Sequence, residues 1–156
     1  MLKLTKKADY GLISLKHLAL QGRSKSASAK EMAEAYCIPA PILSKVLQKL
    51  ARGGFLISEQ GTNGGYRLAR DPSEITALEV IRAIDGPILL TTCFTKQGDC
   101  ELTSKCIVRE PLRRVLDGIQ SLLGSITIHD LSRDKEDAGT VTVLGSESSP
   151  LHVLTS

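Results

Sequence analysis

The chain has 156 residues, 42% of them hydrophobic and 24% charged, which is enough apolar material for a packed core and too much for a disordered chain. No stretch approaches 18 uncharged apolar residues, and Met1-Leu-Lys-Leu-Thr-Lys-Lys7 lacks an apolar leader run. Membrane insertion and secretion are therefore not expected, and a cytoplasmic location is. The net charge of +3 averages two opposites: residues 1–70 hold twelve Lys and Arg against four Asp and Glu, a net of +8, and residues 71–156 hold eight against thirteen, a net of −5.

Apolar residues at helical spacing (Leu4, Ala8, Leu12, Leu15, Ala19) predict a first helix from Thr5, its cap, to about Leu20. Ser28-Ala-Lys-Glu31 is a capping-box signature and opens a short second helix, which runs to about Tyr36. Cys37-Ile-Pro39-Ala-Pro41 breaks the pattern, and Pro41 suits the first turn of a third helix that ends at Gly53-Gly54. Two strand-like runs, residues 55–59 and 66–69, flank a glycine-rich tip and predict a hairpin. A helix over about 75–84 stops at Asp85-Gly-Pro87.

The cysteine loop follows, and then the longest periodic run: Val108, Leu112, Val115, Ile119, Leu122 and Ile126, in alternating steps of four and three. So continuous an apolar stripe has little left in a small chain to cover it, which points to a partner subunit. The expected fold is mainly α with a small β-hairpin. A winged helix-turn-helix domain spans 1–87, a cysteine loop 88–106, a dimerisation helix 107–131 and a flexible tail 132–156.

Three short helices, a glycine-tipped wing and a local charge of +8 point to double-stranded DNA; stacking aromatics for RNA are scarce. Lys3, Lys6, Lys7, Lys25, Lys30, Lys49, Arg52, Arg67 and Arg70 are candidate phosphate contacts, and Ser28 stands at a helix start that offers amides. Pro39, Ala40, Ser44, Lys45 and Gln48, early on the third helix, are the candidate base readers. Thr62, Asn63 and Gly64 form a tip narrow enough for the minor groove, with Arg67 anchoring its stem. No carboxylate cluster or nucleophile–base pair supports an enzyme, and no small-molecule substrate is expected.

Cys93-x6-Cys100-x5-Cys106 lies in polar surroundings beside a flexible Gly98. Three soft ligands favour a thiophilic metal, and the wide intervals suit iron–sulfur ligation better than zinc. A thiol redox switch, zinc binding and inert thiols are the alternatives. Cys37, away from this group, is expected to be a small hydrophobe at the turn between helices.

Leu4-Thr-Lys-Lys-Ala-Asp-Tyr-Gly11, Leu43-Ser-Lys-Val-Leu-Gln-Lys-Leu50, Gly61-Thr-Asn-Gly-Gly-Tyr-Arg-Leu68 and the three cysteines before a long helix carry a resemblance over residues 1–131. The chain resembles the iron–sulfur-dependent winged-helix regulators of the IscR and NsrR type, particularly the variety that regulates the SUF cluster-assembly system. The resemblance implies a homodimer on a palindromic operator, with Cys93, Cys100 and Cys106 as cluster ligands. Two departures matter. The first cysteine interval holds six residues instead of five, and the histidine ligand of the IscR branch is replaced by Arg109. The NsrR branch implies Asp9, from the first helix of the other subunit, as the fourth ligand; a water or small thiol is its competitor. An oxygen ligand favours [4Fe-4S] over [2Fe-2S].

The function so implied is cluster-dependent control of operator affinity, with repression of cluster-assembly genes expected over activation. Two other readings stand beside it: a thiol-redox or nitric-oxide-responsive repressor, and an iron–sulfur redox protein whose winged helix binds protein. His17, His129 and His152 lie far from the cysteines in sequence.

Overall fold

A computed structural model of the chain describes residues 3–62, 64–94 and 104–133. Asn63, Cys100 and nearly all of the expected tail, with His152, lie outside the described residues. The elements in order are α1 (Lys6–Gln21), α2 (Ala29–Tyr36), α3 (Ala40–Arg52), β1 (Leu56–Glu59), β2 (Gly65–Leu68), a 3-10 turn (Pro72–Glu74), α4 (Ala77–Asp85), a second 3-10 turn (Thr92–Phe94), α5 (Arg109–Ser125) and α6 (Ile128–Arg133). This is the mainly helical fold with one hairpin that the periodicities predict.

The helix starts follow local chemistry. Thr5 Oγ1 accepts from the Ala8 amide, and Ser28 with Glu31 forms a reciprocal capping box. Thr76 and Glu79 form a second such box at α4. Thr127 and Asp130 repeat the arrangement at α6, with the shorter acid. Each box satisfies amides that a helix start leaves without partners.

The core is aliphatic, as the composition requires. Leu15 and Leu18 of α1, Met32 of α2, Leu43, Val46, Leu47 and Leu50 of α3, and Val80, Ile81 and Ile84 of α4 meet in one buried cluster. Gly11 makes the α1–α4 crossing possible, because a Cβ there would run into Ile84 Cδ1. β1 and β2 pair antiparallel, from Leu56 opposite Leu68 to Glu59 opposite Gly65. β2 also bonds on its other edge: Ala27 and Tyr66 exchange amide–carbonyl bonds of 3.0 and 2.8 Å. A Cβ on Gly65 would lie 2.5 Å from Ala27 O, so glycine is what lets the wing close on the segment before α2.

The C-terminal part differs from the single long helix and tail read from sequence. α5 stops at Ser125, and Ile126 turns to extended backbone. Ala77 N then donates to Ile126 O and Ile128 N to Ile75 O, at 2.8 and 2.9 Å, forming a two-residue ladder with the segment before α4. Ile128 is wholly buried, and α6 packs on α1. Ser132 and Arg133, assigned to the tail by composition, close this helix. The helical period continued through Ile126, and only the pairing with residues 75–77 shows where it breaks.

Candidate nucleic-acid interface and cysteine segment

α3 divides cleanly into two faces. Leu43, Val46, Leu47 and Leu50 are buried, whereas Pro39, Ala40, Lys45 and Gln48 are exposed and Ser44 is half-exposed. The five expected base-reading positions therefore share the solvent side of the helix start. Ile42, 38% exposed, joins them. Its position in the first turn was the available signal, since that turn projects ahead of the core.

The cations separate into free and committed ones. Lys49 Nζ donates to Ile84 O at 2.7 Å, neutralising the carbonyl end of α4. Arg70 donates to Glu79 at 3.2 Å and to Glu74 O at 2.6 Å and lies over the Phe55 ring, so it braces the loop after the wing. Both were expected on phosphates; both instead bond to partners within the chain, far away or close, that charge counting does not reveal. Arg67 Nε donates to Glu59 at 2.5 Å across the diagonal of the hairpin, so this expected phosphate contact is also bonded within the fold. Ser28 Oγ is engaged as the α2 cap. Thr62 is exposed at the tip, and Gly64 fits only as glycine, with a Cβ there 2.7 Å from Glu59 O.

Between the starts of α1 and α3 lies an open groove of about 620 Å³ with Tyr10, Ile42, Val46 and Ile84 on its floor and Lys6, Lys7, Lys45 and Lys49 on its rim. Asp85 closes one end, where its carboxylate accepts from the Thr5 amide at 3.1 Å and the Thr5 hydroxyl at 2.6 Å. The basic front half thus becomes a surface feature, with Lys45 and Lys7 among its exposed cations.

Cys93 sits in the turn after α4, and Cys106 stands before α5; both are half-buried free thiols. Cys106 borders a cavity of about 340 Å³ with Phe94, Arg109, Glu110 and Arg113. Bonds from Arg113 hold the Glu110 carboxyl below the usual glutamate range, and the same contact raises Arg113. Among the described residues no three His, Cys, Asp or Glu side chains converge as a metal site, and Cys100 is outside that set. Asp9, in the first turn of α1, faces Lys6 Nζ at 3.8 Å with 43% of its side chain exposed.

Cys37 is not the packed hydrophobe expected. It caps α2 in the left-handed conformation (φ +53°) and is exposed, because the sharp turn points its side chain outward. His17 bridges α1 and α2, with Nδ1 2.9 Å from Tyr36 OH and Nε2 2.9 Å from Gln21 Nε2.

α5 leans on α4 through buried Leu116 and through Gln120, which accepts from Arg82 at 2.8 Å. Its other side, with Val108, Val115 and Leu122, is open to solvent.

The Rrf2 family model, described as an iron-dependent transcriptional regulator, matches residues 4–134. The HTH-type transcriptional regulator NsrR of Shouchella clausii is 34% identical over 137 residues, 87% of this chain and 92% of that protein. Among solved structures, CymR, the global cysteine regulator of B. subtilis, superposes with a TM-score of 0.70 at 31% identity, covering 85% of this chain and 97% of CymR. IscR of T. potens also gives 0.70, at 27% identity over 89% of this chain and 92% of that one.

Proposed function

Because the chain belongs to the Rrf2 family of DNA-binding transcriptional regulators, we propose that it is a homodimeric iron–sulfur sensor whose cluster state sets affinity for a palindromic operator, repressing cluster-assembly genes of the SUF type. One connection carries this reading. The C-terminal end of α4 is clasped by Lys49 of α3, on the Ile84 carbonyl, and by Thr5 of α1, on the Asp85 carboxylate. The chain leaves that end through Gly86-Pro87, tucks Ile88 into the core and enters the cysteine segment. A change in how the cysteines are held is therefore delivered to the two helices that line the basic groove.

The donor set fits such a group. Cys93 and Cys106, both free and half-buried, bracket Cys100 in the sequence, and Cys106 borders an open cavity. Cys93, Cys100 and Cys106 would hold the cluster from one chain, and Asp9 of the second copy would complete it, with [4Fe-4S] favoured. When bound, the cluster supplies a redox-active centre that oxidants or iron loss dismantle. Pro39, Ala40, Ser44, Lys45 and Gln48 would meet base edges. Thr62, Asn63 and Gly64 would enter the minor groove, and Lys6 and Lys7 would hold phosphates.

The Val108–Val115–Leu122 side of α5, exposed among the described residues, supports the homodimer, since a second chain would bury it. The free, half-buried thiols of Cys93 and Cys106 also favour a second reading, a thiol switch without metal.

Anaerobic reconstitution with iron and sulfide, followed by duplex binding of loaded and apo protein, tests the proposal. A brown protein whose colour is lost in Cys93→Ser, Cys100→Ser and Cys106→Ser, and whose operator affinity differs from that of the apo form, is expected. A protein that stays colourless rejects cluster sensing. If its DNA affinity still changes on thiol oxidation, the thiol switch stands instead. Asp9→Ala is expected to make the cluster less stable to oxygen; an unchanged spectrum and lifetime removes that ligand.

A further inference from the structure

We infer that Glu59 is a positioning residue for Arg67: it draws the guanidinium toward the wing tip and aims it into the minor groove, where Arg67 senses A·T pairs. This rests on the operator binding proposed above and names the residues that give the wing a sequence preference.

Charge makes Glu59 the anomaly of the wing. Residues 55–69 hold one cation and one anion, Arg67 and Glu59. A hairpin that enters a groove walled by phosphates is repelled through a carboxylate near its tip, so an acid there weakens binding unless it serves the cation. The hairpin has little need of it for stability. Main-chain pairing from Leu56–Leu68 to Glu59–Gly65 already builds the ladder. The Arg67–Glu59 side chains are 35% and 40% exposed, and ion pairs so open to water add little.

The register shows what Glu59 does instead. Arg67 stands directly opposite Ile57, and Glu59 stands on the same face one row nearer the tip, opposite Gly65. That row is two residues of strand away, about 6.8 Å. The bond from Arg67 Nε to the Glu59 carboxylate therefore inclines the arginine toward the tip, over a row where Gly65 has no side chain. Nε is the root of the guanidinium, so the two Nη groups, with four of its five N–H donors, lie farther out along the side chain. A·T pairs offer the acceptors A N3 and T O2 in the minor groove, and their narrow form concentrates negative potential there. The N2 amino group of a G·C pair obstructs the same approach. An arginine already held in place also loses less side-chain entropy on binding than a free one.

Selection from randomised duplexes with the full-length parent supplies the probe, using whichever of the loaded and apo forms binds more tightly. Single A·T pairs of that duplex are then replaced by 2,6-diaminopurine·T, which adds an amino group in the minor groove and keeps the major-groove pattern of A·T. The parent is expected to lose about tenfold in affinity at one or more of these pairs. Arg67→Ala and Glu59→Ala are expected to bind the two duplexes within about twofold of each other. Glu59→Gln, which keeps an acceptor for Nε, is expected to discriminate as the parent does. A Glu59→Ala protein that melts at a lower temperature but keeps the parent's ratio overturns the positioning role, since a bond that only braces the hairpin gives that result. Tighter binding of the unmodified duplex by Glu59→Ala at the parent's ratio also overturns it, as the removal of one repelled charge. So does a parent indifferent to diaminopurine at every pair. A parent that enriches no duplex overturns the operator binding on which the inference rests.

Discussion

At the scale of single residues, the position of a cation matters less than what already holds it. Lys45 and Lys49 are one helical turn apart on α3 and both exposed, yet Lys49 is already bonded to Ile84 O. Lys45→Ala is expected to lower the salt dependence of duplex binding by about one counterion, a slope change near 0.9. Lys49→Ala is expected to leave that slope alone and to lower folding stability, by roughly 1 kcal/mol for the lost bond. Fluorescence anisotropy across a salt series, with chemical denaturation of both variants, separates the two roles. Gly65 makes a comparable point about space. With Ala27 O where its Cβ would stand, Gly65→Ala is expected to destabilise the protein by about 1–3 kcal/mol. Amide exchange of Ala27 and Tyr66 should rise in that variant before exchange in α3 does.

At the scale of elements, capping carboxylates govern how the helices respond to acid. Glu79 accepts from the Thr76 amide at 3.0 Å, and this bond, with help from the Thr76 hydroxyl and Arg70, lowers its pKa from the ordinary value. Asp130 is lowered in the same way, first by the Thr127 hydroxyl and then by the Thr127 amide. A carboxylate with a depressed folded-state pKa contributes stability above its unfolded pKa and loses that contribution as pH falls through the folded value. Thr76→Ala should therefore lower stability near neutral pH by about 1 kcal/mol. Glu79→Gln should also be less stable than the parent at pH 7, with the gap closing only as pH falls below the ordinary glutamate range and through the lowered folded-state value, where the parent's carboxyl becomes neutral too. Thermal melts at a series of pH values check both expectations.

At the scale of the whole molecule, α5 is tied to its domain through its C-terminal half and open along one side. Gln120 is fixed by Arg82, Ile126 O by Ala77 N, and Ile128 by the core. A second chain docking on the open side would therefore set the relative placement of two reading helices rather than hang from a loose stalk. Replacing Val115 and Leu122 together with Asp is expected to yield a folded monomer. Its affinity for a duplex carrying two half-sites should fall about 10²-fold, with binding to a single half-site little changed. Sedimentation and anisotropy on the two duplexes read this out.

Sequence alone determined the elements whose signals are local. Thr5, Ser28 with Glu31, the Cys37–Pro41 break, Gly53-Gly54 and the glycine-rich wing tip each act on backbone within a few residues, so the winged helix-turn-helix and the exposed start of α3 were legible. The family likeness of residues 4–134 was legible for the same reason, since it is carried by short contiguous motifs. Tertiary structure alone decided the assignments that depend on partners distant in the chain. Lys49 reaches Ile84 across 35 positions, and Thr5 reaches Asp85 across 80. Ile126 and Ile128 end α5 by pairing with residues 75–77, where their own sequence continues the helical period. Charge and periodicity describe what a segment offers to its surroundings. Which offers are taken inside the fold, and which remain for DNA, a metal or a second copy, is settled only when the chain closes on itself.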